Sequence, residues 1–105
     1  MDASHKQYKR AMMGSMKAEA YLSPASAVSA CMELAKGGNA TDDDVAKVGA
    51  YLMEAGALTE AVELMDQGLQ SFKDSTALAS LKEKIVAASA GDPAVAAQLE
   101  GLGYL

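Results

Sequence analysis

Alternating start and stop signals divide this chain into short helices, and they constrain its fold more than any other feature. Ser, Thr and Asp, which favour helix N-termini, recur along the chain, and in four of five places they stand just before a proline or an acidic residue. These starts are Ser23-Pro24, Thr41-Asp42-Asp43-Asp44, Thr59-Glu60, Asp74-Ser75 and Asp92-Pro93. Stops are predicted at Gly37-Gly38, Gly56 and Gly91, because glycine reaches left-handed backbone conformations at little cost.

Between these signals the apolar residues recur with the helical period. The three clearest stripes are Val45, Val48 and Leu52; Val62, Met65 and Leu69; and Leu78, Leu81 and Ile85. The predicted helices are 4–20, 24–36, 42–55, 60–71, 76–88 and 93–101. Since their connections are short, consecutive helices should be antiparallel. With 105 residues, 50% of them hydrophobic, the sequence predicts one all-α domain over 1–105 with a core of its own.

Residues 42–75 add an ordered series of large and small side chains. The first helix has Val45, then Val48 followed by Gly49, then Leu52; Gly56 stands in the turn; the second helix has Ala61, Met65 and Gly68. This series resembles the tetratricopeptide repeat, a pair of antiparallel helices over 34 residues. Lys73 stands where that family commonly has a closing proline.

Small residues in such a series predict close approach between helices. Gly49 and Ala61 are expected to bring the two helices of this hairpin together. Gly68 lies inside a predicted helix, where glycine costs about 1 kcal/mol relative to alanine. A crowded contact is therefore expected at Gly68.

The same frame extends in both directions. Ala27 and Cys31 precede Ala61 and Met65 by 34 residues, and the stripe from Leu78 to Ile85 follows that from Val45 to Leu52 by 33. The resemblance implies three antiparallel helical hairpins, 4–36, 42–71 and 76–101, stacked as a short right-handed array with an apolar tail, 102–105. The first hairpin matches least well, because Gly14 stands where a bulky residue is expected.

In tetratricopeptide proteins the first helix of each hairpin lines a groove that binds partners. The resemblance therefore implies a groove lined by Met12, Met13, Met16, Ala46, Lys47, Ala50, Met53, Ala79 and Glu83. Methionine side chains repack around different apolar shapes, so the groove would suit an amphipathic helix or an extended apolar segment. Met12, Met13 and Met16 fit the core of a terminal helix equally well.

Residues with catalytic or metal-binding chemistry are scarce. His5 is the only histidine and Cys31 the only cysteine. Cys31 lies on the apolar side of a predicted helix and is assigned to the core. Asp42, Asp43 and Asp44 lack the ligand spacing of a calcium loop and are assigned to the positive end of the helix dipole. We therefore expect no catalytic residue, no metal and no cofactor.

Charge and hydropathy limit the partners. The net charge of −5 disfavours nucleic acid, although residues 1–17 carry four basic side chains against one acidic. That basic end is interpreted as a solvated helix face or, alternatively, as a contact with an acidic partner or another copy. The sequence contains no apolar run of about 18 residues, so no membrane span is expected. A single cysteine and no apolar leader indicate a cytoplasmic protein.

The tail supplies the last predicted site. Leu102, Tyr104 and Leu105 stand on a glycine-rich frame and are expected either to cover the last hairpin or to dock on a partner or another copy. The predicted function is a non-catalytic protein-binding module, an adaptor or small chaperone whose partner is another protein or a further copy of itself. The alternative is a small structural subunit of a secretion apparatus, filament or virion.

Overall fold

The helix signals in the sequence correspond closely to the helices of the structure, a computed structural model that describes residues 15–105. Residues 15–22 form the described part of α1. The other helices are α2 (Pro24–Lys36), α3 (Asp42–Glu54), α4 (Leu58–Ser71), α5 (Thr76–Ser89) and α6 (Pro93–Leu102). The described part of the chain contains no strand, so the all-α prediction is confirmed. The predicted bounds of α2 to α6 differ from these by at most two residues; the predicted start of α1 lies outside the described residues.

Three of the predicted helix starts are capped by the side chain that the sequence indicated. The Thr41 hydroxyl accepts a hydrogen bond from the Asp44 amide at 3.2 Å, and the Asp44 carboxylate accepts one from the Thr41 amide at 2.9 Å. These two bonds form a capping box at the start of α3. The Ser75 hydroxyl caps α5 by accepting a hydrogen bond from the Leu78 amide. The Asp92 carboxylate caps α6 by accepting one from the Val95 amide.

Two predictions about helix starts were wrong in detail. The Ser23 hydroxyl forms no capping hydrogen bond, although α2 does begin at Pro24. Thr59 is not a cap, because α4 begins at Leu58 with Ala57 before it. The reason is the left-handed turn at Gly56 (φ 78°), which brings the Ala57 amide to 2.9 Å from the Leu52 carbonyl and leads directly into α4.

The glycines that the sequence predicted at helix ends differ in backbone conformation. Gly38 (φ 77°) ends α2 in the left-handed conformation that the sequence predicted. Gly91 does not adopt it: α5 ends in tight turns in which the amides of Ala90, Gly91 and Asp92 bond to carbonyls three residues earlier. Those turns leave a short connection to Asp92, which starts α6 at once.

The helices stack in sequence. From α2 to α6, each helix packs against the next one and the next but one, and against no helix further along. This pattern places α3 and α5 side by side in one layer and α2, α4 and α6 in the other. The Lys17 ammonium lies 5.8 Å from the ring centroid of Tyr51, which puts α1 beside α3 in the first layer. Stacked helical hairpins are thus the architecture of the described chain.

Spacing along the chain is regular. Pro24 and Leu58 begin helices 34 residues apart, as do Asp42 and Thr76; Leu58 and Pro93 are 35 apart. Core positions repeat with the same period. Within the second layer, the corresponding buried side chains are Ala27, Ala61 and Val95, and then Cys31, Met65 and Leu99. One continuous core therefore runs through the stack, from Met16 in α1 to Leu99 in α6.

Two glycines make the close approach between layers and hairpins possible. A Cβ added to Gly68 would lie 3.1 Å from both Val45 Cγ1 and Leu78 Cδ1, so the predicted crowding at Gly68 is confirmed. A Cβ added to Gly49 would overlap Leu81 Cδ2. Because Leu81 belongs to α5, Gly49 serves the contact between successive hairpins, and its predicted role within one hairpin was wrong.

Candidate protein-binding face

The solvent-facing sides of α1, α3 and α5 form one continuous surface, which we call the first-helix face. On α3, the buried stripe of Val45, Val48 and Leu52 points to the core. The helical period then turns Lys47, Ala50 and Glu54 to the opposite side. On α5, the inward stripe of Leu78, Leu81 and Ile85 likewise leaves Ala79 and Glu83 in solvent.

The predicted groove residues of α3 and α5 lie on this face. Lys47, Ala79 and Glu83 are exposed, whereas Ala46, Ala50 and Met53 are half-buried. Ala46 and Met53 also pack against the core, so they form the edge at which the face meets the hydrophobic interior. A partner would therefore meet small apolar side chains backed by the core, with charged residues around them.

The predicted residues of α1 behave differently. Met16 is only 2% exposed and belongs to the core, so its assignment to the groove was wrong and its alternative core assignment was right. Its burial follows from pairing with Ala20, one helical turn away and equally buried, on the inward side of α1. Met12 and Met13 lie outside the described residues.

Two residues that the sequence analysis did not select are the most exposed large apolar side chains near this face. Tyr21 is 52% exposed and Leu22 is 82% exposed, at the end of α1. Tyr21 lies one turn beyond Lys17 on the same side of α1, the side next to α3. Their position in the sequence is the one indication of this exposure. Both apolar residues directly precede the Ser23-Pro24 helix start, where no other helix of the stack is expected to cover them.

Several charged side chains of the face are unpaired among the described residues. Within residues 15–105, the side chains of Lys47, Glu54 and Glu83 take part in no hydrogen bond or ion pair. Lys17 is engaged, since its ammonium lies over the Tyr51 ring. Free charges around an apolar centre are what a polar rim requires in a protein interface.

The tail divides into an inward and an outward part. Gly103 (φ 89°) reverses the chain after α6, and the Tyr104 amide bonds to the Leu99 carbonyl at 2.9 Å. The Tyr104 hydroxyl then donates to Asp66 Oδ1 at 2.8 Å, and its ring lies 5.9 Å below the Lys82 ammonium. Burial and the Asp66 carboxylate raise the pKa of Tyr104 to about 12.

Tyr104 therefore covers the last hairpin. Of the two expectations for the tail, covering the hairpin or docking on another molecule, Tyr104 follows the first. It ties the end of α6 to both α4 and α5, through Asp66 and Lys82. Leu102 and Leu105 do not follow it: they remain 44% and 56% exposed. Leu102 and Leu105 are therefore the apolar side chains of the tail that are most accessible to another molecule.

Cys31, the one cysteine of the sequence, lies in the core. Cys31 is a free, buried thiol, and burial, with a smaller effect of the negative charge of Asp44, raises its pKa to about 12. A thiol held protonated in this way is a poor nucleophile. Among the described residues, no three His, Cys, Asp or Glu side chains come together as a metal site. No described helix is both long enough and apolar enough to cross a membrane.

A shallow depression of about 360 Å³ lies where the N-termini of α3 and α5 meet the α4–α5 connection. Its lining consists of Asp42, Phe72, Lys73, Asp74 and Ser75. Asp42 already accepts the Ser75 hydroxyl at 2.6 Å, so the most inward carboxylate of the depression is satisfied within the fold. This site offers much less to a partner than the first-helix face does.

Comparison with known proteins adds no assignment: the chain matches no protein-family model, no curated protein and no solved structure.

Proposed function

We propose that this protein is a non-catalytic interaction module that holds an apolar or amphipathic segment of another protein on its first-helix face, as an adaptor or small chaperone. One observation carries the proposal. Tyr21 and Leu22 are exposed at the end of α1, and the half-buried Ala50 and Met53 lie on α3, the neighbouring helix of the same layer. An apolar surface of this kind, bordered by unpaired charges, is typical of protein-binding sites.

We infer in addition that the stack is of the tetratricopeptide kind. The 34-residue spacing of helix starts and the packing of each helix on its next two neighbours support this. Gly49 and Gly68 support it further, since each lies where a larger side chain would collide with a neighbouring helix. The missing closing proline, replaced by Lys73, is the main departure from the family pattern.

The proposal includes a cytoplasmic protein that needs no cofactor and binds neither nucleic acid nor membranes. The net charge of −5 opposes phosphate backbones and anionic headgroups alike. A single buried free thiol is compatible with a reducing compartment. Among residues 15–105, no three His, Cys, Asp or Glu side chains come together as a metal site, and burial keeps the Cys31 thiol protonated.

Capture of the protein from its own host at native level, with the size of the recovered complexes determined, tests the proposal. One stoichiometric protein partner is expected. Ala50→Asp and Met53→Asp should each abolish its recovery, because a carboxylate would then be buried in the interface. Ala97→Asp, at an exposed position of α6, is the matched control and should retain the partner. Full recovery by all three variants would exclude the first-helix face.

A second candidate is a small structural subunit of a larger assembly. The observation in its favour is that Leu102 and Leu105 remain exposed after Tyr104 has folded back. A Leu102→Ser, Leu105→Ser double variant leaves the Tyr104 contacts intact, so it tests assembly without opening the fold. Recovery of the wild type in a many-copy complex, and of the variant as a monomer, would select this candidate over the adaptor.

A further inference from the structure

The same side-chain contact occurs at two places in the stack, once between hairpins and once at its end. The Lys17 ammonium of α1 lies 5.8 Å from the ring centroid of Tyr51, on α3 of the following hairpin. The Lys82 ammonium of α5 lies 5.9 Å from the ring centroid of Tyr104, in the tail. The tail therefore presents a tyrosine to the last hairpin as a following first helix does.

The two lysines hold equivalent positions in their helices. Each directly follows a buried residue, Met16 on α1 and Leu81 on α5, that has a second buried residue one turn further along. Gly49 stands in the same relation to the buried Val48 on α3, and it receives Leu81 from the following hairpin. This position of each first helix therefore meets the element that comes next in the stack, and for α5 that element is the tail.

The second layer shows a corresponding pair of leucines. Leu34 of α2 and Leu102 of α6 each lie three residues beyond a buried residue, Cys31 or Leu99. Leu34 is half-buried and packs on the core, whereas Leu102 is 44% exposed. The last hairpin thus ends in the lysine and leucine with which the first hairpin receives the second, and the tail covers the lysine alone.

The open side of the first hairpin carries a side chain that suits Lys82. Glu19 follows Lys17 by two residues, a rotation of about 200° around α1, so it points away from α3. Within the described residues its carboxylate forms no hydrogen bond or ion pair. Its place on α1 is that of Tyr51 on α3, three residues after a buried residue of the inward stripe.

The charges around Lys82 leave it open to such a carboxylate. Lys82 forms no ion pair among residues 15–105. The nearby Asp66 is held by Gln70 at 3.1 Å as well as by the tail. Glu83 and Lys84, the next residues of α5, are turned from Lys82 by about 100° and 200°, so they lie on other sides of the helix.

We infer that Tyr104 is a stop: it occupies the site at which α1 of a second copy of this chain would continue the stack. With Tyr104 removed, Glu19 of the second copy would meet Lys82 as Tyr51 meets Lys17, and its α1 would cover Leu102. The opposite charges make the two ends complementary. The contact lies at the end of the stack and does not involve the first-helix face.

Two variants of the full chain open the end by different routes. Tyr104→Ala removes the ring, and Gly103→Val releases the tail because valine disfavours the left-handed φ of 89°. In sedimentation over a concentration series, the wild type should remain a monomer. The mass of both variants should rise past that of a dimer, since a head-to-tail contact does not close on itself. Leu105→Ala, at the exposed neighbouring position, is the matched control and should stay monomeric.

Charge exchange then identifies the surfaces that meet. In the Tyr104→Ala background, Glu19→Lys brings two cations together and should weaken the association at least about tenfold. Adding Lys82→Glu restores opposite charges and should recover it. Circular dichroism of each variant verifies that the helices are retained.

Three results would contradict the inference. Helical, monomeric Tyr104→Ala and Gly103→Val at millimolar concentration, or a wild type that associates as strongly as they do, would show that the tail blocks nothing. A mass that stops at the dimer would indicate a two-fold contact between like ends. Association that Glu19→Lys leaves unchanged would place the contact elsewhere. Each of these results leaves the proposed function standing, because Ala50 and Met53 take no part in this contact.

Discussion

The Ser75 hydroxyl donates a 2.6 Å hydrogen bond to the carboxylate of Asp42, 33 residues earlier in the chain. The same hydroxyl accepts from the Leu78 amide at 3.1 Å, so one side chain caps α5 and ties its start to the start of α3. Asp42 is the first residue of α3 and stands in the first turn, where a negative charge is favourable. The contact sets the register between two successive hairpins of the stack.

We expect Ser75→Ala to lower the free energy of unfolding by about 1–2 kcal/mol, because it removes a helix cap and leaves a buried position without its hydrogen bonds. Urea denaturation followed by circular dichroism measures this. Ser80→Ala, on the exposed side of the same helix, is the matched control and should stay within about 0.5 kcal/mol of the wild type. An equal effect of both substitutions would deny Ser75 its linking role.

Glycine-to-alanine substitutions should have opposite effects at different places in the stack. Gly49→Ala and Gly68→Ala introduce a Cβ against Leu81, or against Val45 and Leu78, and should destabilise by about 1–3 kcal/mol. Gly101→Ala places its Cβ in open space within α6 and should stabilise by up to about 1 kcal/mol. Thermal denaturation of the three variants gives the order of their stabilities.

A second substitution shows whether the Gly49 effect is steric. Leu81→Ala creates space opposite the new methyl group, so Gly49→Ala should cost less in the Leu81→Ala background than in the wild type. Simple additivity of the two changes would mean that Gly49 and Leu81 do not limit the approach of α3 to α5.

Local signals in the sequence were sufficient for the helices but not for what each helix contacts. Thr41, Ser75 and Asp92 cap the helices they were expected to cap, since a cap involves residues three positions apart. Gly49 was recognised as a site of close approach but was assigned to the wrong neighbour, because its contact with Leu81 spans two hairpins. Periodicity shows which side of a helix is buried, and it does not show by which element.

The candidate site was predictable in the same limited sense. Ala50, Met53 and Glu83 follow from a repeat frame that extends over α3 and α5. Met16 was ambiguous because an apolar residue near a chain terminus fits core or groove equally well, and burial alone decides it. Tyr21 and Leu22 were missed because their position just before the Ser23-Pro24 start is only a weak local signal of exposure, and the packing of α1 in the stack decides it.

Cys31 should be unreactive in the folded protein. Its thiol is buried, with a pKa of about 12 instead of 9.0, so the thiolate is scarce at neutral pH. Alkylation by iodoacetamide should be slow in buffer and fast in 6–8 M urea, as mass spectrometry would show. A folded-state rate equal to that of a small free thiol would contradict the burial of Cys31.

The Tyr104 contact should make stability depend on alkaline pH. The pKa of Tyr104 is raised from 10.0 to about 12, so the folded state holds its proton longer than the unfolded state does. The stabilising contribution is therefore complete below pH 10 and is lost as pH rises through about 12. Tyr104→Phe removes the bond to Asp66 but keeps the ring, and should cost about 1 kcal/mol at neutral pH. Leu105→Ala, next to it in solvent, should cost almost nothing.

Ultraviolet titration of the phenolic groups tests the same contact independently of stability. The wild type should contain one tyrosine that ionises well above the usual range, and this step should be absent from Tyr104→Phe. The Cys31 thiol also has a raised pKa and would ionise in the same range as Tyr104. A Cys31→Ala variant removes that second ionisation, and the tyrosine step must persist in it. If all tyrosines of the wild type ionised near pH 10, Tyr104 would not be held against Asp66 and the tail would be free to dock elsewhere.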